Sequence, residues 1–113
     1  MCNEKKKIFI EFPNVTSFMS TQSEDINAEY KEIVQRLEIE GRLSMPYGEK
    51  LKDENFFAIR IINAGNVRVF YIYGKDDNVY GIHGYVKTSM TIPKNEKKHA
   101  RKLIKEMKKA GLI

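Results

Sequence analysis

At 113 residues the chain has the length that one hydrophobic core organises, so a single domain spanning 1–113 and a single site are expected. A composition that is 42% hydrophobic and 31% charged excludes a disordered polyelectrolyte, and no apolar run approaches the roughly 20 residues of a membrane helix. The net charge of +5 is uneven: nine basic side chains stand against Glu96 and Glu106 between Val86 and Ile113, which suits a polyanionic partner such as nucleic acid, or else a solvated helix face.

In chain order, the basic start is followed only by Ile8-Phe9-Ile10 before Glu11 and Pro13 interrupt, too short for a signal peptide, so a cytoplasmic protein is expected. Cys2 is the sole cysteine, which excludes an intrachain disulfide and a zinc site built on cysteines. Ile8 to Phe12 reads as a strand at a sheet edge, and residues 14–22 carry no decisive signal. Ser23 as N-cap, Glu24 and Asp25 at the positive end of the dipole, and Ile26, Tyr30, Ile33, Val34 and Leu37 at helical spacing predict a helix over 24–40 that Gly41 stops. Met45 to Gly48 reads as a loop. Turn residues at 63–66 and 74–78 divide the β-branched and aromatic segment into strands near 56–62, 66–73 and 79–87, an antiparallel meander. A last amphipathic helix opens at Pro93 with Ala100, Leu103, Ile104 and Met107 on one side, and the expected fold is a compact α+β domain.

The turn makes a geometric point. If Asn63-Ala64-Gly65 is a three-residue loop with Gly65 in the left-handed conformation, Ile62 meets Asn66 and Arg60 stands across from Arg68. Two like charges opposite each other are unfavourable unless an anion belongs beside them. A two-residue loop would shift the register by one and send the arginines to opposite faces, leaving each as a solvated strand residue. Alternation on the third strand of the meander puts His83, Tyr85 and Lys87 on one side and Ile82, Gly84 and Val86 on the other. His83 has a side chain fit for general acid or base work, although a single strand histidine is more often structural. Tyr71 reads as core filler, and Tyr85 as a site-edge ring that stacks on unpaired bases. Lys94, Lys97, Lys98, Arg101, Lys105 and Lys108 on the last helix suit phosphate contacts that fix position without reading sequence. His99 falls on the exposed side of that helix and receives no role. The acidic helix, with Glu24, Asp25, Glu29, Glu32, Glu38 and Glu40, lacks the histidines of a metal site and reads as a solvated face or docking surface. Walker, dinucleotide-fingerprint, HExxH, nucleophile-elbow and CxxC signals are all missing from the sequence.

From Leu37 to Ala100 the chain resembles the HigB branch of the RelE superfamily of toxins from type II toxin–antitoxin pairs. The landmarks are collinear: Leu37 to Gly41, Pro46, Lys50-Leu51, Phe57-Ala58-Ile59-Arg60, Arg68-Val69-Phe70-Tyr71, His83-Gly84-Tyr85-Val86-Lys87, and Pro93 with Glu96 and Ala100. The resemblance implies a RelE-like fold, a small twisted antiparallel sheet with helices on one face and RNA on the other, concave face. It implies a metal-independent endoribonuclease, without cofactor, that cuts mRNA on the ribosome through attack of a ribose 2′-OH on the adjacent phosphate. Arg68, Arg60, Lys87 and His83 are then the catalytic candidates, with Tyr85, Lys94, Lys97, Lys98 and Arg101 as RNA-binding residues, and a cognate antitoxin is the expected protein partner. Thr88 stands where the family carries the second member of a basic pair begun by Lys87, and Ala110 to Ile113 offer no counterpart of the tyrosine that some relatives carry near the C-terminus. Two alternatives therefore stay open: a toxin on the same fold that inhibits DNA gyrase, as ParE relatives do, and a non-enzymatic basic nucleic-acid-binding module.

Overall fold

The computed structural model describes residues 4–113, so Cys2 and the reading attached to it lie outside the described residues. Strand β1 (Ile8–Glu11) is followed by helices α1 (Pro13–Ser20) and α2 (Glu24–Glu40), strands β2 (Gly48–Lys50), β3 (Phe57–Ile61), β4 (Val67–Tyr73) and β5 (Asn78–Val86), and helix α3 (Lys94–Lys109). The strands form one five-stranded sheet in the order β1-β5-β4-β3-β2. The expected meander is its antiparallel centre, and β1 lies at the edge as expected, although it pairs with β5 in parallel, which makes the sheet mixed.

Local chemistry accounts for most element ends. The Ser23 hydroxyl accepts from the Ile26 N–H at 3.2 Å, and Gly41 closes α2 at φ +82°, a conformation that spares glycine a Cβ clash. Proline after Phe12 does end β1, but its fixed φ also suits a first helical residue, so residues 13–20, which carried no decisive signal, become α1. Met45 to Tyr47 form the expected loop, and β2 starts at its last residue because Gly48 to Lys50 find backbone partners on β3.

Helices α1 and α2 cover one face of the sheet, burying Val15, Met19, Tyr30, Ile33 and Leu37 against Ile59, Ile61, Val69 and Tyr71. Helix α3 crosses the opposite face and buries Ala100, Ile104 and Met107 against Phe56, Ala58, Phe70, Ile72 and Ile82. Burial on both sides explains why β4, Val-Arg-Val-Phe-Tyr-Ile-Tyr, is an almost unbroken apolar run rather than an alternating one. The expectation of helices on one face only is thus corrected, since the apolar side of α3 needs a surface to bury against, and the second face is only partly open. The chain end after α3 bonds the turn before β5, with Lys75 N–H donating to the Leu112 carbonyl at 3.0 Å, while the first turns of α3 meet His83. The sheet that bears Arg60, Arg68 and Tyr85 lies past that first turn. No helix among the described residues is long and apolar enough to cross a membrane.

Candidate nucleic-acid interface

The register places Arg60 directly opposite Arg68, and Arg68 directly opposite Tyr85. Residues so paired share a face, here the face that α3 leaves partly open. Gly65 reaches this outcome by another route than the expected left-handed turn, since positive φ among the glycines is confined to Gly41 and Gly111. What Gly65 supplies is room: a Cβ there would sit 2.8 Å from Ile26 Cδ1 of α2. The turn is instead held by Glu29 of α2, whose carboxylate accepts from the backbone N–H groups of Ile62, Asn63 and Ala64 at 2.7–3.1 Å.

The two arginines differ. Arg60 donates from Nη1 to the Pro46 carbonyl at 2.8 Å and faces Glu49 with Nε to Oε1 at 3.7 Å, and its side chain keeps 21% exposure. Arg68 is 3% exposed, and its single hydrogen bond is from Nη1 to the neighbouring Val67 carbonyl at 3.1 Å. Among the described residues no carboxylate pairs with it. Burial, and secondarily the Arg60 charge, depress the Arg68 pKa below the ordinary guanidinium value. Arg60 Nε, Arg68 Nε and the Tyr85 hydroxyl are all shielded from water without a hydrogen-bond partner. Native proteins rarely leave such groups unmatched, and three stand beside one another on one face, with the nearest carboxylate, Glu49, 3.7 Å from Arg60 Nε and beyond hydrogen-bond reach.

His83 borders this set. The register slips between Phe70 and Tyr71, where Phe70 pairs with His83 but Tyr71 pairs with Gly81. The extra residue, Ile82, breaks the strict alternation read from the sequence and joins Tyr85 in the core under α3, while Gly84 turns to Phe18 of α1 as expected. His83 Nε2 lies 2.9 Å from Glu96 Oε1, its ring stacks beside Tyr85 with centroids 6.1 Å apart, and the His99 ring lies 4.6 Å away. The carboxylate partner that a catalytic histidine requires thus comes from α3. Sequence reading missed Glu96 as that partner; the signal that could have found it is its place four residues before Ala100 and seven before Leu103, on the inward side of the helix. His99 is exposed as read, yet its ring rests against His83.

The remaining candidates separate. Tyr85 is 6% exposed with its ring packed on Phe70 at 5.4 Å, so the group it presents is the hydroxyl and not a free ring face for base stacking. Burial pushes that hydroxyl up to about 12, past the opposing pull of Arg68, and keeps it a neutral donor. Lys87 continues the open face two residues beyond Tyr85 and is half-buried, held by reciprocal bonds between its backbone and Asn66. Lys97 lines the same groove as Lys87, whereas Lys94 and Lys98 are exposed outside it. Arg101 is committed elsewhere, gripping Glu54 through Nε and Nη2 at 2.6–3.0 Å. Thr88 is exposed. Among the described residues no group of three or more His, Cys, Asp or Glu side chains is gathered as a metal site would require.

No curated protein matches the sequence. A family model does: residues 17–105 match the phage-derived protein Gp49-like family, DUF891, a span that runs from α1 into α3 and contains every residue of the arginine site. The α+β architecture, with its open five-stranded sheet and helices on both faces, agrees with the RelE-like fold. The chain therefore belongs to the phage-derived Gp49-like family, which is associated with RelE-type toxins of toxin–antitoxin pairs.

Proposed function

We propose that this chain is the toxin of a toxin–antitoxin pair and an endoribonuclease that cuts mRNA on the ribosome without a metal, resembling the HigB branch. The observation that carries the proposal is the Arg60–Arg68–Tyr85 row, where two opposed guanidinium groups and a hydroxyl hold donors without acceptors beside a histidine that has a carboxylate partner.

In this reading a phosphodiester lies on the part of Arg60 that reaches solvent, and the shielded Arg68 guanidinium and Tyr85 hydroxyl add positive potential beneath it. Attack of the 2′-OH on phosphorus gathers negative charge on the nonbridging oxygens, and fixed cations in a dry site stabilise that charge most effectively. Arg60, the more accessible arginine, presents its planar fork, and Arg68 holds a second charge beneath it. If His83 donates from Nε2 to Glu96, its lone pair resides on Nδ1, which takes the 2′-OH proton as the O2′–P bond forms and the P–O5′ bond breaks, and the leaving O5′ takes a proton from water. The products are a 2′,3′-cyclic phosphate and a 5′-hydroxyl, with Lys87 placed to neutralise the leaving oxygen.

The test is induction of the chain in growing bacteria with mapping of transcript ends. The expected result is growth arrest with new cuts inside translated messages, relieved by a cognate antitoxin. Arrest without cuts, accompanied by loss of DNA supercoiling, would replace this reading by the gyrase one.

A further inference from the structure

Beside the arginine row the same face opens into a groove of about 370 Å³ lined by Glu49, Lys50, Lys52, Lys87, Ile92 and Lys97. Three separate elements contribute its cations: Lys50 ends β2, Lys52 follows it, Lys87 follows β5, and Lys97 stands on the first turn of α3. None of the four lysines forms an ion pair among the described residues. Glu54, whose pKa is lowered chiefly by Arg101 and also by Lys97 and Lys50, and Glu49, which lines the groove, each have an arginine as nearer partner. Glu54 is held from two sides by Arg101, and Glu49 faces Arg60. Lys50 Nζ donates to the Glu54 backbone carbonyl at 2.7 Å, which orients the ammonium without cancelling its charge. Like charges brought together by three elements raise the local potential and favour an anion. Met90, 96% exposed, and Ile92 add an apolar rim of the kind on which a base or ribose packs.

We infer that this groove is a second RNA subsite, in which Lys50, Lys52 and Lys97 hold the phosphates of the message that flank the scissile one. The inference rests on the ribonuclease reading. It assigns roles to Lys50 and Lys52, which the sequence marked only as part of a family landmark or not at all. The groove and the arginine row adjoin through Glu49, which lies within 3.7 Å of Arg60 and lines the groove, and through Lys87, two residues beyond Tyr85. A single strand laid across Arg60 therefore runs on into the lysines. Selection here is by charge and chain continuity, so the subsite binds any single-stranded sequence long enough to reach it.

Fluorescence anisotropy with the whole protein and two unstructured, 2′-deoxy-blocked oligonucleotides tests the subsite. One probe is a trinucleotide that spans only the arginine row, and the other is a dodecanucleotide. The expected result is that K50Q/K52Q weakens the dodecanucleotide several-fold and lowers its log–log salt slope by about 1.4, at about 0.7 per lost phosphate contact, while the trinucleotide binds as to wild type. K97Q, on a different element, behaves alike with about half the change in slope, and melting temperatures of all variants stay at the wild-type value. Unchanged dodecanucleotide binding by both variants, while Arg68→Met loses both probes, overturns the subsite and leaves the ribonuclease reading intact. Failure of the wild-type protein to hold either probe overturns both.

Discussion

Arg68 is the residue on which the site turns, and its environment is unfavourable to folding. A guanidinium that is 3% exposed, without a carboxylate partner and opposite a second arginine, bears desolvation and repulsion that a thioether of similar length would not. Retaining such a group is characteristic of sites where stability is given up for function. Arg68→Met is therefore expected to melt at or above the wild-type temperature in a calorimetric scan, and a markedly lower melting temperature would mean that Arg68 supports the fold instead. Tyr85 yields a second expectation. Its hydroxyl ordinarily titrates near 10 and is pushed up to about 12 by burial, so the neutral form is favoured in the folded protein. The corresponding stabilisation is complete below the unfolded value and disappears as pH rises through the window from about 10 to about 12. Tyr30 and Tyr71 are shifted in the same direction, also chiefly by burial. Urea unfolding between pH 9 and 12 should show stability falling across that window, with a shallower fall for Tyr85→Phe; parallel curves for the two proteins would contradict the shift.

At the scale of elements, α2 does more than cover the sheet. The carboxylate of Glu29 gathers three backbone N–H groups of the β3–β4 turn and thereby holds the register that brings Arg60 and Arg68 together. Hydrogen bonds to a charged acceptor contribute about 1.5–3 kcal/mol each when well shielded, and less where partly exposed, as here. Glu29→Ala is expected to cost about 2 kcal/mol in denaturant unfolding, with Glu29→Gln intermediate. A cost below about 0.5 kcal/mol would show that the turn holds its shape without the helix. The same contact shows where sequence reasoning reached its limit. The arginine register was legible from the spacing of the turn residues, but the reason for it was not. Gly65 was expected to supply a left-handed φ and instead supplies clearance for Ile26, and Glu29 read as a solvated acid. Helix α2 was legible to its caps because cap and stop are encoded within the segment. Helix α1 and β2 were not, since one begins at a proline equally able to end a strand and the other exists only through its pairing with β3.

Across the whole molecule, the sheet acts as a divider. One face is closed by α1 and α2, and the other is closed by α3 only as far as His83, so that Arg60 reaches solvent just where cover ends, with Arg68 buried beside it. Alternation placed His83, Tyr85 and Lys87 on one side before any coordinates, whereas a shared face for Arg60 and Arg68 was one of two loop-dependent outcomes, the one that the register bears out. The lysine-rich helix was legible as a basic element but not in its division of labour. Of its candidate contacts Lys97 reaches the groove, Arg101 is bound to Glu54, and Lys94 and Lys98 are exposed and do not line the groove, a distinction that depends on how the helix docks. The membership of residues 17–105 in the Gp49-like family agrees with a toxin-like fold and leaves the chemistry to be decided by the site itself.

The most direct measurement is cleavage of a defined message in a purified translation system, with cut positions read by primer extension for the wild-type protein and for Arg68→Met of matched thermal stability. Loss of one preorganised donor at a developing charge is expected to slow cutting roughly 100- to 1,000-fold. The account predicts discrete cuts by the wild type and near-silence from the variant. An intact message with the wild type, or equal cutting by a well-folded Arg68→Met, would contradict it.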